Sequence, residues 1–217
     1  IHTIVLAAGE GSRMKSNRAK SLQRIGGTSM LEKICLTAGS ISPKITLVVG
    51  FDKDSVIKES KNYNLEISTA DQPKPIGTGD AVKCGIAEVE DGSKVLVLYG
   101  DVPLIKKETL EELISSSDEG LSILTTTLED PHGYGRVKKD DLGNALAIVE
   151  EKDASTDEKN IKEIFTGVLC GQKELIHEGL AKLDNNNAAG EFYLTDLVSI
   201  ISNKGFKIKT YNAPNDE

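Results

Sequence analysis

Two hydrophobic rhythms alternate along the chain, and their alternation predicts an α/β fold. IVLAA at 4–8 is continuously apolar, as a strand covered on both faces requires. Met30, Leu31, Ile34, Cys35 and Ala38 then recur at helical spacing. ITLVVG at 45–50 reads as strand, 52–60 as a short helix and LEIST at 65–69 as a short strand. A helix is expected at 77–89, with glycines at its entry, followed by a second strongly apolar strand, KVLVLYGD, at 94–101. Gly-Asp-Val-Pro ends that strand, because proline offers no N–H to a ladder. A helix at 106–116 completes a β-α-β-α order over the first 120 residues.

That order implies a mainly parallel sheet with right-handed crossovers and a ligand at the carboxyl ends of its strands. Beyond 120 the rhythm changes. LSILTTTL at 121–128, then GYGRV, ALAIVEE and EIFTGVLCG, read as short strands between charged turns. A mixed or antiparallel sheet is expected there, with helices returning at 173–183 and 194–204. No repeat or low-complexity linker interrupts the sequence. The expectation is one domain over 1–217 with two lobes, at about 1–120 and 121–217. Its architecture is a Rossmann-like, mixed but mainly parallel sheet flanked by helices.

Composition narrows the partners. A net charge of −8 provides no basic field for a nucleic-acid backbone, so nucleic acid is set aside. One nucleotide remains compatible, since a few N–H groups and cations can hold it. Cys35, Cys84 and Cys170 show no metal-binding spacing and are expected as reduced core thiols. No apolar run reaches the roughly 20 residues of a membrane span, so a cytoplasmic protein with no membrane partner is expected. The chain starts at Ile1 without methionine, so residues before it are expected.

Candidate chemistry begins where the first strand ends, in LAAGEGSRMKSNRAK at 6–20. A turn needs glycine but not this much positive charge; a phosphate site needs both. The loop lacks GxxxxGK[ST], and Met14 breaks GxGxxG, so neither the P-loop nor the dinucleotide reading holds. What remains, LAAGxGSRM followed by Lys20, resembles the signature loop of the sugar-1-phosphate nucleotidyltransferases. IGTGDAV (76–82), LYGDVPL (98–104), DPHGYGRV (130–137), IVEEKDA (148–154) and NNNAAGEFYLTD (185–196) carry the resemblance across essentially the whole chain. Within the family they resemble the uridylyltransferases that act on N-acetylglucosamine-1-phosphate.

The resemblance implies that UTP and N-acetylglucosamine-1-phosphate yield UDP-N-acetylglucosamine, for cell-wall synthesis, and pyrophosphate. The sugar phosphate attacks the α-phosphorus directly, so positioning and charge neutralisation carry catalysis. Arg13, Lys20 and Asp101 are the implied catalytic residues, with Asp101 holding Mg²⁺. Leu6, Ala7, Ala8, Gly9, Gln72, Gly77 and Thr78 are implied at the nucleotide, with backbone N–H groups from Ala7 to Gly11 facing phosphates and Gln72 reading the base. Tyr99, Gly100, Gly135, Glu150, Phe165 and Thr166 are implied at the sugar. Solvated residues are the alternative reading of the loop cations and an exposed loop residue that of Gln72, while Tyr193 reads at least as well as a core aromatic as near the sugar. Asp80 reads better as a helix cap than as a ligand. A different hexose-1-phosphate, or a weakly active UDP-sugar-binding module, remains open.

Three departures stand out. Phe165 replaces an asparagine that contacts sugar in the family, which predicts weaker or altered sugar selectivity. Ala19 replaces a proline before the loop lysine, and Ser21 follows it, which predicts a more mobile loop. The sequence ends at NAPNDE, before a family asparagine that completes the metal site and before a β-helix acetyltransferase domain that builds a homotrimer. Without them, no acetyltransferase activity and weak Mg²⁺ binding are expected.

Overall fold

The structure is a computed structural model, which describes residues 1–11, 16, 18–118 and 120–214. Eleven strands and seven α-helices are defined among these residues. In chain order they are β1 (His2–Leu6), β2 (Arg24–Ile25), β3 (Thr28–Ser29), α1 (Met30–Gly39), β4 (Lys44–Val49), α2 (Lys53–Ser60) and β5 (Ile67–Asp71). Next come α3 (Thr78–Ile86), β6 (Lys94–Tyr99), α4 (Lys107–Ser116), β7 (Leu121–Thr127), β8 (Arg136–Lys139) and β9 (Ala145–Val149). Then follow α5 (Thr156–Lys159), β10 (Glu163–Gln172), α6 (Lys173–Leu180), α7 (Asp196–Ser202) and β11 (Ile208–Asn212).

A nine-stranded sheet runs β11-β7-β10-β6-β1-β4-β5, with β8 and β9 as a hairpin off β10. β6, β1, β4 and β5 are parallel to one another, and β11 is parallel to β7. β10 lies antiparallel between β6 and β7, so both halves of the sequence contribute to one sheet. The expected mixed, mainly parallel sheet flanked by helices is what is observed.

The continuous apolar strands follow from two cores, one on each face. Ile4 and Leu6 of β1 point to the side of Val82, Ile86, Ile176 and Val198, on α3, α6 and α7. Val5 and Ala7 point to the side of Leu31, Ile34, Val56 and Leu110, on α1, α2 and α4. β6 divides in the same way, Val95 and Val97 against Leu96 and Leu98. Each fully buried aliphatic side chain contributes roughly 1.5–3 kcal/mol, so these central strands are held from both faces. Among the described residues no helix is long and apolar enough to cross a membrane.

Several elements differ from the sequence expectation. The strand expected at 65–69 lies at Ile67–Asp71, two residues on. The helix expected at 194–204 is shorter, Asp196–Ser202. β11 was not expected: only Ile208 is fully buried, because the strand lies at the sheet edge and its polar residues mask the pattern. The short α5 owes its start to a capping box between Ser155 and Glu158.

Candidate active site

Three strand ends converge on one crevice, those of β1, β5 and β6. β1 lies where the chain order reverses, with β4 and β6 on its two sides, which is where such sheets bind ligands. The backbone beyond β1 is pinned to both neighbours. Gly100 donates its N–H to the Leu6 carbonyl at 2.9 Å, Ala7 donates to Val48 at 2.9 Å, and Phe51 donates to Ala8 at 3.1 Å. The Ala7 N–H is therefore committed to the sheet and does not face the crevice, contrary to expectation. The N–H groups of Ala8, Gly9, Glu10 and Gly11 have no partner among the described residues. Four adjacent free donors at a strand's carboxyl end suit an anion.

The loop returns past Gly11, whose φ of +67° and contact with Lys20 both demand glycine: an added β-carbon would lie 2.7 Å from Lys20 Cβ. Arg13 lies outside the described residues. Lys20 opens a short 3-10 turn, Lys20–Leu22, and its ammonium is ion-paired with the Asp101 carboxylate. Leu6, Ala7, Ala8 and Gly9 form one wall of a cavity of about 290 Å³ that Lys20, Asp101, Gln72, Gly77 and Thr78 complete. Ala19 has φ −50° and ψ 141°, dihedrals that proline could adopt. Its N–H instead donates to Asp52 Oδ2 at 3.1 Å, an anchor that proline would forfeit. Ser21 is buried, and its hydroxyl has no hydrogen-bond partner among the described residues.

Gln72 is not the exposed loop residue that its position allowed. It is 7 % exposed, and its Nε2 donates to the Gly77 carbonyl at 3.0 Å and to Asp80 Oδ2 at 2.9 Å. Asp80 therefore does not cap α3 as expected. Gly77 is the N-cap residue, and the Asp80 carboxylate reaches back to the glutamine. Phe192 holds Gly77 from behind through two backbone hydrogen bonds of 2.8 Å, from its N–H to Ile76 and from Gly79 N–H to its carbonyl.

A second recess, of about 280 Å³, is lined by Gly135, Glu150, Phe165 and Thr166, all expected on the sugar side. Gly100 does not line it. That residue packs behind the wall, where an added β-carbon would lie 3.0 Å from the Leu6 carbonyl. The recess and the crevice share Thr78, Tyr99 and Glu191. The Tyr99 phenol sits above its ordinary pKa, first through loss of water and against a hydrogen bond with Thr78 that acts the other way. Burial raises the Glu150 pKa, with Asp153 and Glu191 adding to it, while the Thr195 hydroxyl donates to Glu150 at 3.0 Å. Thr166 spends its own proton on the Leu124 carbonyl at 2.9 Å. Phe165 is 6 % exposed and belongs to the core beside Val137 and Ile148 as much as to the recess. Tyr193 also lines the recess, half-buried.

Sequence reasoning missed Arg136. Its guanidinium is 2 % exposed, donates to Glu151 Oε2 at 2.6 Å and also bonds the Tyr134 carbonyl. Gly133 N–H donates to the same Glu151 oxygen at 3.2 Å, so Arg136 and Glu151 together hold the turn over the recess. The available signal was an arginine inside an otherwise strand-like GYGRV, a charge that needs a partner when buried.

Among the described residues no group of three His, Cys, Asp or Glu side chains could hold a metal. Asp101 nevertheless suits a metal shared with substrate: it is a hard oxygen donor at the crevice, already balanced by a cation. A hard divalent ion at a nucleotide commonly takes one or two carboxylates and completes its shell from phosphates and water.

The MobA-like NTP transferase domain family matches residues 3–179. Bifunctional protein GlmU of Psychrobacter sp. (strain PRwf-1) is 44 % identical over 207 residues, covering 95 % of this chain and 45 % of its own length. GlmU of Alcanivorax borkumensis is 41 % identical over 214 residues, 98 % of this chain and 47 % of that protein. This chain thus spans less than half the length of those two relatives. A Bacillus anthracis crystal structure, assigned as a glucose-1-phosphate thymidylyltransferase, superposes with a TM-score of 0.77 at 18 % identity over 98 % of this chain and 87 % of that one, a likeness of fold. With its match to 177 consecutive residues and its strand-end crevice, the chain belongs to the MobA-like NTP transferase domain family.

Proposed function

We propose that this domain transfers the uridylyl group of UTP to N-acetylglucosamine-1-phosphate, giving UDP-N-acetylglucosamine and pyrophosphate. The observation that carries the reading is the shared wall: a crevice with free N–H groups and a cation opens through Thr78, Tyr99 and Glu191 into a recess rich in hydroxyls and carboxylates. Such a pair of spaces suits a triphosphate meeting a sugar phosphate. The GlmU names of the relatives point the same way, over parts of the chain that include GYGRV and GEFYLTD.

In this reading an oxygen of the sugar phosphate attacks the α-phosphorus. One phosphorus–oxygen bond forms, the bond to the β-phosphate bridging oxygen breaks, and pyrophosphate leaves with that electron pair. A direct displacement of this kind needs no covalent nucleophile from the chain. The chain holds the two substrates in line, which is the larger part of catalysis in phosphoryl transfer. The free N–H groups of Ala8 to Gly11 and the side chain of Arg13 would bind phosphate oxygens. Lys20 would leave Asp101 for the phosphates, and Asp101 would hold Mg²⁺. Bound there, the ion supplies charge neutralisation at the transferring phosphate. Glu150 would accept from sugar hydroxyls, its proton affinity raised by burial. A cytoplasmic setting, and a homotrimer of the longer form, belong to the same reading.

Pyrophosphate release with UTP, Mg²⁺ and a panel of sugar-1-phosphates tests it: N-acetylglucosamine, N-acetylgalactosamine, glucose and glucosamine. Selective release with the first supports the proposal. Preference for another sugar would move the specificity to Phe165, which cannot hydrogen-bond where the family has asparagine. Binding of UDP-sugar with no turnover would leave a nucleotide-sugar-binding module.

A further inference from the structure

Resting on the uridylyl reading, we infer that Asp80 is a positioning residue that fixes which atom of Gln72 meets the base, and so selects uracil over cytosine. A primary amide has two N–H hydrogens, and both are used here: Gln72 Nε2 donates at 3.0 Å to a carbonyl and at 2.9 Å to a carboxylate. Turning the amide over would set Oε1 against the lone pairs of both acceptors. At 7 % exposure, water offers little relief from that repulsion. Oε1 is therefore the atom left for a ligand in the crevice that Gln72 lines.

The consequence is a site that can only accept at this point. Once joined to ribose, uracil carries a single N–H, at N3. Cytosine presents a lone pair at that atom, which would face the Oε1 lone pairs. Thymine shares the N3–H, so the arrangement does not distinguish UTP from dTTP. Of the two acceptors, Gly77 offers a backbone carbonyl whatever its side chain. Asp80 is the one a substitution can remove. It lies within α3 and is half-buried, so its loss leaves the helix N-cap residue Gly77 in place.

The test is calorimetric binding of UTP, dTTP and CTP with Mg²⁺ to the wild-type chain and to Asp80→Ala, Gln72→Ala and the double variant. A hydrogen-bonded base contact of this kind separates right from wrong base by about 1–3 kcal/mol, so wild type should favour UTP over CTP by about 5- to 150-fold. Asp80→Ala should bring the ratio within about 3-fold, since one acceptor remains to orient the amide. UTP and dTTP should weaken together. The double variant should match Gln72→Ala, because Asp80 acts only through the glutamine. Should the alanine protein fail to fold, Asp80→Ser keeps a small polar side chain too short to reach the amide.

If Asp80→Ala weakens UTP and CTP equally and keeps their ratio, Asp80 is only structural and the inference falls while the uridylyl reading stands. If wild type itself binds CTP as well as UTP, the uridylyl reading falls and takes the inference with it.

Discussion

Replacing Gly77 by alanine should be among the most damaging single-methyl additions in the domain. Two costs arise at once. Gly77 has φ +130°, a region closed to L side chains, and such strain costs about 1–3 kcal/mol. The new β-carbon would also run into the Phe192 backbone, 2.6 Å from its nitrogen and 2.8 Å from its carbonyl carbon, and overpacking of that kind costs about 1–3 kcal/mol. Relief requires the 192 segment to move, which stretches the two 2.8 Å hydrogen bonds that tie it to Ile76 and Gly79. Together the costs come to about 2–6 kcal/mol, against a typical total of about 5–15 kcal/mol. For a domain of this size each kcal/mol lowers Tm by about 2–4 °C, so Gly77→Ala should melt roughly 4–24 °C lower. Gly143→Ala is the internal control. Its φ is +84° and an added β-carbon meets nothing within 4 Å, so only the backbone cost of about 1–2 kcal/mol applies. Thermal melts of the two variants beside wild type decide the matter. Equal losses would refute the clash with Phe192, and a Gly77→Ala protein melting within 2 °C of wild type would refute the whole account.

Phe165→Asn should cost about 3–5 kcal/mol of stability, because the ring is core as well as recess, while raising selectivity for N-acetylglucosamine-1-phosphate by about 5-fold. Unchanged kinetic constants for that sugar would end the specificity argument at Phe165. Lys20→Ala should lower kcat/KM for pyrophosphate release by about 10²- to 10³-fold with little change in Tm, and a loss under threefold would remove Lys20 from the phosphate site. Asp196 is pushed up to about 6, first by burial and then by Asp184, Glu150 and Asp153. Its charged form is disfavoured in the fold, so its effect on stability is favourable at low pH and is lost as pH rises from about 4 through about 6. After discounting for its partial exposure, Asp196→Asn should gain about 1 kcal/mol at pH 7.5 and nothing near pH 4. Chemical denaturation at the two pH values checks this, and an equal gain at both would contradict it.

The architecture was readable because buried strands announce themselves. IVLAA and KVLVLYG are apolar without a break, and the structure gives each a core on both faces. The position of β10 was not readable. EIFTGVLCG looks like any short strand, and nothing local says that it enters between β6 and β7. Candidate residues on strand ends were found from motif and order. Residues that act through others were missed, because Asp80 and Arg136 derive their roles from partners distant in sequence or hidden by burial. Asp80 even satisfied a local rule, the acidic residue in a first helical turn, while its carboxylate served Gln72.

The insertion of β10 also has a consequence in time. During synthesis β6, ending at Tyr99, and β7, beginning at Leu121, emerge long before β10 starts at Glu163. Until then the open edge of β6 has no antiparallel partner, and a ribosome-bound chain carries an unpaired apolar strand. Pairings between segments this far apart in sequence form slowly, and exposed edges recruit other chains while they wait. The nascent domain is thus most in need of a chaperone while the segment from β7 to β10 is being made, and release of the last strands closes that window.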